Sequence, residues 1–358
     1  MMEKAREEQV VALCQEMIRQ RSYSGEEAGV VKVLSARMKE MGFDEVTVDR
    51  YGNIIGCIKG SRPGKKILFD GHIDTAPVTA EAEWEYPPFA AEIHEGRIYG
   101  RGTSDMKGAV AAREISRLVK PDYVVIGEAS QLNLKIGQRG RAEIVIETFG
   151  KPCHSANPEK GINAVYKMAK VIEAIRTLMP THHPVLGDGI LELTDIKSSP
   201  YPGASVVPEY CRATYDRRLL VGETKESVLA PIQELLDRLM AEDPQLKAKA
   251  SYAVGRETCH TGNEIEGERF FPGWLYDRED DFVQAVYNKL NEKGFAPEIT
   301  QYNFCTNGSH YAGEAGIKTF GLGPSRENLA HTVNEYIELE QLTKVEECYY
   351  AVMEALLV

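Results

Sequence analysis

The sequence predicts an α/β protein with a second, α+β domain inserted into it. Three observations carry this. Two short apolar runs, Lys65–Phe69 before Asp70-Gly71-His72 and Tyr123–Ile126 before Gly127-Glu128, read as buried strands that deliver polar groups at their C-terminal ends. From residue 135 the pattern changes to β-α-β-β-α-β, the ferredoxin-like order. From about residue 255 the first character returns. The first domain is therefore predicted over 1–134 and 255–358, and the inserted one over 135–254.

Taken in order, Val10, Leu13, Cys14, Met17 and Ile18 recur at helical spacing, as do Val31, Leu34 and Met38 before Gly42. Strand-like stretches from Val46 to Lys59 are broken at Tyr51-Gly52-Asn53, and Glu92–Tyr99 reads as a hairpin about Glu95-Gly96. Met106–Val119 reads as a helix. In the inserted domain Ile144, Ile146 and Thr148 alternate along a strand; helices are predicted at 159–179 and 224–241, strands near 190–197, 205–219 and 248–254. A helix at 279–293, strands near 297–304 and 317–322, and a helix at 339–356 close the chain.

Composition narrows the function. Among 358 residues, 42 are Lys or Arg and 54 Asp or Glu, a net charge of −12. An acidic surface repels phosphate backbones, which excludes nucleic acid as an expected partner. No apolar run is long enough to span a bilayer, and the charged, amphipathic N-terminus does not read as a signal peptide. The seven cysteines are scattered without a CxxC pair, so neither a disulfide framework nor a thiolate zinc site is expected; a reduced, cytoplasmic protein is.

Four segments place an acid or imidazole beside glycines or at an element end: Asp70–Thr75, Gly100–Gly108, Ile126–Ser130 and Ala330–Glu335. His72 and Asp74 share one face of an extended strand. Singly, each has a structural reading: Asp105 as a helix cap, Glu128 in a turn, His331 in an exposed loop. Together they suit one crevice at the ends of α/β elements. Two imidazoles with carboxylates and no thiolates are a donor set for Zn2+ or a similar divalent ion.

The segments DGHIDT, YGRGTSDMKGA, VIGEAS and AHTVNEYI resemble, in order, those of the M20 family of metallopeptidases and deacylases, from about residue 8 to the C-terminus. TNGSHYAGEAGIKTFGLGP resembles the family's YgeY-like branch. The resemblance implies a zinc-peptidase-like catalytic domain, a mixed sheet flanked by helices, with an inserted ferredoxin-like lid and dimerisation domain. It implies a cytoplasmic homodimer that hydrolyses an amide of a small N-acyl amino acid or short peptide through a metal-bridged water. Two Zn2+ per subunit are implied, about 3.5–4 Å apart, with Co2+ or Mn2+ as substitutes. Asp105 matches the bridging carboxylate, His72 and Glu128 the other ligands of one metal, and His331 a ligand of the second. Asp74 matches the carboxylate that orients His72.

One departure is large. The family carries a Glu-Glu pair, its general base and a second-metal ligand, between the helix after DMKG and the strand before the GEAS-like segment. Here Arg113–Lys120 runs directly into Pro121, without such a pair. Against the family pattern, the resemblance implies a shortfall of about forty residues, a little more than one β-α-β unit, between Lys120 and Pro121. The alternative to an enzyme is therefore a family member that keeps the cleft for binding a metal or ligand.

In the inserted domain, His154 matches a histidine that helps stabilise the oxyanion, often in the partner subunit's site. Arg218, in Asp216-Arg217-Arg218, is a candidate clamp for a substrate carboxylate, and Asn163 a candidate contact to it or a helix start. Gly323 is expected to shape the pocket wall by its backbone.

Overall fold

Tyr123–Ile126, the apolar run predicted as a buried strand, is buried at all four positions. In the computed structural model, which describes residues 2–112 and 121–357, it lies inside a six-stranded mixed sheet. Ile67–Asp70 pairs with it in parallel, and Lys318–Gly321 in parallel on its other side. Leu134–Gln138 then runs antiparallel to Lys318–Gly321 and is itself paired with Trp274–Leu275 and Ile299–Tyr302. Tyr123 and Val125 face one core with Phe69, Leu134 and Phe320, covered by the helices Met2–Ile18, Asp281–Glu292 and Leu339–Leu356. Val124 and Ile126 face the opposite side, against Ile317, Leu68 and Tyr311. Burial on both faces explains why this strand reads as a continuous apolar run.

The inserted domain is a second, antiparallel sheet in the order Ile190–Ser199, Tyr210–Leu219, Gly140–Phe149, Lys247–Tyr252. This is the predicted ferredoxin-like arrangement, with helices Ala164–Ile175 and Lys225–Glu242 packed on the face that carries Ile144, Ile146, Ala213 and Tyr215. The first helix is shorter than the expected 159–179: Asn163 caps it, and Pro158–Lys160 forms a separate turn. Arg141, Glu143, Asp216 and Arg218 alternate with the buried positions and lie on the other face.

The boundaries differ from those expected at 135 and 254. Residues 135–138 belong to the six-stranded sheet, and Phe270–Phe271 still pairs with Arg141–Ala142 of the inserted domain. The cause is continuity: apolar alternation runs through both sheets with only Arg139 between their strands, so no linker composition marks the crossing. The chain crosses between sheets twice, at Gln138–Gly140 and Phe271–Trp274, and the flanking strands are paired with each other on both sides. Of the expected helix 106–119, Gly108–Ala111 is helical after a wide turn at Thr103–Lys107; residues 113–120, and with them the approach to the Lys120–Pro121 junction, lie outside the described residues. No described helix is long and apolar enough to cross a membrane, and the seven cysteines are free.

Candidate metal centre

The parallel register brings the site together. Asp70 pairs with Ile126, so both strands end at the same level, and the Gly127 N–H donates to the Asp70 carbonyl at 3.0 Å. Two residues beyond each strand stand His72 and Glu128, with His72 Nε2 at 3.5 Å from Glu128 Oε1. Asp105 arrives from the turn before Gly108–Ala111: its Oδ1 lies 2.8 Å from His72 Nε2, and its Oδ2 lies 2.9 Å from His331 Nε2. His72, Asp105 and Glu128 offer ligand atoms within 4.8 Å of one another, the one such group among the described residues. One imidazole and two carboxylates fit a divalent cation of the zinc type. The two Asp105 oxygens face different imidazoles, which is the arrangement a bridging carboxylate requires.

Supporting contacts fix each of these side chains. His72 Nδ1 meets the Asp74 carbonyl at 2.9 Å and its carboxylate at 3.2 Å, and the Ser24 hydroxyl donates to the other Asp74 oxygen at 2.6 Å. Glu128 is seated by Gly323: a Cβ there would come within 2.3 Å of the Gly127 and Glu128 carbonyl oxygens, so only glycine allows this approach. His331 holds a left-handed backbone at φ 62°, a strained conformation for a side-chain-bearing residue.

Glu335 is the strongest support and carried no role in the sequence reading. Fully buried, it accepts hydrogen bonds from the backbone N–H groups of Gly102, Ser104 and Asp105 at 3.1, 2.8 and 3.1 Å. Its other oxygen accepts from Arg101 at 2.6 Å. The loop that presents Asp105 is thus wrapped around a buried carboxylate. Its place in Ala330–Glu335, four residues after His331, was the available signal.

The electrostatics follow from crowding. Burial pushes the Glu128 carboxyl up to about 7; His72 partly offsets this, while Asp105, Asp70 and Asp74 add like charge. Burial opposes charge on His72, but hydrogen bonds to Asp105 and Asp74 outweigh it and hold the imidazole well above its ordinary value. The hydrogen bond from His72 holds Asp74 down at about 2, against its own burial. Burial resists charge on Asp105 too, yet His72 and His331 keep it below the usual carboxylate range.

A cleft of about 670 Å³ is lined by His72, Asp105, Glu128 and His331 together with Arg141 and Arg218 of the inserted domain, Asn307 and His310. Arg218 thus lines the same cleft as the four candidate ligands, and so does Arg141, which the sequence reading did not single out. His154 does not line this cleft: it is exposed on the lid, bridges Val206, and accepts from the Ala156 N–H at 3.0 Å. Asn163 lines a separate hollow of about 560 Å³, and its side-chain oxygen is taken by the N–H groups of Val165 and Tyr166. Its helix-start reading fits this geometry better than a substrate contact. Gly323 acts behind Glu128 rather than on the cleft wall.

Known proteins resemble this chain in sequence and in fold. Residues 68–113 match the profile of the peptidase family M20/M25/M40, and residues 136–244 that of a peptidase dimerisation domain. The chain is 30% identical to the "Uncharacterized protein YgeY" of Escherichia coli K12, with 93% of this chain and 91% of that protein covered. It is 25% identical to the succinyl-diaminopimelate desuccinylase 2 of Ruegeria sp. strain TM1040, covering 95% and 93%. Its fold is similar to that of the aminopeptidase PepT from Bacillus cereus, with a TM-score of 0.72 at 20% identity over 98% of each chain. The YgeY alignment spans 379 positions; 93% of 358 residues is about 333, so about 46 positions carry no residue of this chain. That number is close to the shortfall of about forty residues expected against the family pattern.

Proposed function

This chain belongs to the M20 peptidase family, and from that premise we propose that it hydrolyses an amide bond of a small N-acyl amino acid or short peptide, as a zinc-dependent deacylase or carboxypeptidase. The carrying observation is Asp105, set between His72 and His331 beside Glu128, in a cleft also lined by arginines. His72, Asp105 and Glu128 would hold the first cation; Asp105 and His331 would begin the second position. A cation bound there supplies Lewis acidity for an amide carbonyl and lowers the pKa of water. Asp74 keeps His72 in the tautomer that presents Nε2 to the site, and Arg218 holds the substrate's carboxylate. His154, exposed and away from its own cleft, serves the cleft of a second copy, in a cytoplasmic homodimer formed through the lid. The matched dimerisation domain supports the dimer, and seven free cysteines support the reducing compartment.

The test is direct. Purified chain, loaded with Zn2+, Co2+ or Mn2+, is assayed on N-acyl amino acids and dipeptides with metal content measured in parallel. Turnover that EDTA abolishes is expected; no turnover on any of these with the metal sites filled defeats the proposal. His154→Ala is expected to lower kcat severely while size-exclusion still shows a dimer.

A second reading has its own observation. Among the described residues no further acid or imidazole joins Asp105 and His331 in a metal-ligating group. A chain that binds at most one cation and captures ligand without turnover would show that stoichiometry together with an inert cleft.

A further inference from the structure

The antiparallel hairpin of Val254–Thr258 and Glu264–Glu268 follows directly on the inserted domain's strand Lys247–Tyr252. Its large apolar side chains, Val254 and Ile265, are both exposed, so apolar burial does not decide where it lies. A two-stranded hairpin alone is marginal in water, and its place depends on its two ends. The base is tied to the inserted domain: the Ala253 N–H donates to the Glu143 carbonyl at 2.8 Å, and the Glu143 N–H to the Arg269 carbonyl at 3.0 Å. The tip is tied to the other domain. The Thr261 hydroxyl and the Asn263 amide both donate to the Arg50 carbonyl, at 2.6 and 2.7 Å. A turn closed on Asp49 presents that carbonyl, the Asp49 carboxylate accepting from the N–H groups of Tyr51 and Asn53. His260 packs on Gly52, where a Cβ would collide with the ring, and its Nδ1 lies 3.3 Å from Glu27 Oε2. These two side chains are only 12% and 16% exposed, at the end of an otherwise exposed hairpin.

Glu27 carries the contact inward. Its other oxygen accepts from the Gly25 N–H at 2.6 Å, which fixes the end of the segment Ser22–Gly25. That segment runs alongside Ile73–Thr75. Tyr23 bridges Thr75 in parallel, the Thr75 N–H donates to the Ser22 carbonyl at 2.8 Å, and the Ser22 hydroxyl donates to the Ile73 carbonyl at 2.7 Å. Ser24 ends the line on Asp74, whose second oxygen faces His72 Nδ1. An exposed polar hairpin of one domain thus reaches, through Glu27 and Ser24, the carboxylate that orients a candidate ligand in the other. We infer that this hairpin is a strap, and that His260 and Glu27 are positioning residues for the metal centre. With the tip seated, Ser24 and Asp74 hold His72 toward Asp105 and Glu128. With the tip unseated, Asp74 and His72 lose that constraint. The two arrangements of the tip are the element that links the inserted domain to the candidate ligands. Neither positioning residue touches a cation or the reacting atoms. The effect on cation affinity rests on the metal-centre reading; the effect on Ile73–Thr75 does not.

Two measurements on the full-length chain test the strap. The first is hydrogen exchange without metal. His260→Ala and, separately, Asn263→Ala are expected to speed exchange in 22–25 and 73–75 by about tenfold, the scale of one lost hydrogen bond. The strand Gly140–Phe149, in the core of the inserted domain, should keep its protection. Glu27→Ala with His260→Ala should exchange no faster than Glu27→Ala alone, because the two side chains act as one contact. Glu27→Gln keeps an acceptor for the Gly25 N–H and should recover most of the protection. The second measurement is Zn2+ affinity, by competition with a chelating indicator. It should fall by about tenfold in His260→Ala, as for changes behind a metal ligand, and the visible spectrum of the Co2+-loaded chain should shift with it. Exchange at 73–75 unmoved in both tip variants, or additive effects of the Glu27 and His260 substitutions, overturns the strap. Unchanged Zn2+ affinity in variants whose 73–75 exchange has risen overturns the positioning role. Faster exchange at 73–75 in a chain that binds no cation leaves the strap standing and sinks the metal centre.

Discussion

At the residue scale the centre is an acidic cluster gathered around one imidazole. His72 faces Asp74, Asp105 and Glu128. Glu128 ionises near 7 in the folded chain against an ordinary 4.5, so its contribution to stability is complete below about 4.5 and is lost as pH rises through about 7. His72 shifts in the same sense: raised above 6.5, it stabilises the fold while protonated and stops doing so as pH climbs through its folded value. Asp74, held near 2, stays ionised throughout and contributes nothing to this slope. The metal-free chain should therefore lose melting temperature between pH 5 and 8, as read by calorimetry in EDTA. Cation binding needs both groups deprotonated, so affinity should rise over the same range with release of protons, measured by titration in buffers of different ionisation enthalpy.

Glu335 gives a second prediction at this scale. Glu335→Ala leaves Arg101 buried and unpaired and strips three N–H groups of their acceptor. The expected loss is about 3–5 kcal/mol in urea unfolding. Glu335→Gln keeps an acceptor for the backbone, and should retain more stability yet still weaken metal binding by about tenfold or more, as changes behind a ligand commonly do. His72, Asp105 and Glu128 drew notice in the sequence because glycines flank them at element ends, and His331 because its segment resembles the family's. Glu335 did not, because it acts through backbone groups and Arg101, 234 residues away along the chain.

At the scale of elements, hydrophobic period located most strands and helices to within a few residues. Leu339–Leu356 coincides with its prediction, and Asp281–Glu292 falls inside the expected 279–293. Period is a statement about which face is buried, so it succeeds wherever a single core covers that face. It fails where one strand follows another without a polar break, as from Leu134–Gln138 into Gly140–Phe149. It fails also on the hairpin of Val254–Thr258 and Glu264–Glu268, which is mostly exposed and has little apolar pattern to read. Close packing between elements was equally silent. Gly323→Ala should force the Gly127–Glu128 backbone away from the strand end, costing about 1–3 kcal/mol. Cation affinity should fall with it, because the displaced residue is Glu128; a substitution that lowers stability but leaves affinity intact would separate the two roles.

At the scale of the molecule, the order of elements was sufficient to foresee a split α/β domain around a ferredoxin-like insert, since each half has its own core. The shortfall near Lys120 was legible only against the family pattern, as composition and charge are ordinary on both sides of it. If the cleft holds cations as proposed, their removal is a global event. A cation present at a thousand times its Kd adds about 4 kcal/mol to the folded state, so chelation should lower the melting temperature by several degrees, and the shift should vanish in Asp105→Ala.

The paired crossings between the two sheets carry a mechanical consequence. A single tether would let the lid swivel in any direction. Two extended segments laced to each other, with Gly140 pressed so closely on Phe271 and Gly273 that no side chain fits between, resist twisting and sliding alike. What remains soft is bending about one line across both segments, as for a door hung on two pins. Arg141 stands immediately beside that line, and Arg218 opposite it on the next strand. A small swing therefore moves the guanidinium groups along a single arc relative to His72 and Asp105. The reach of the cleft becomes a matter of one angle, and Arg141 and Arg218 can follow that swing without loosening their hold on Asp216.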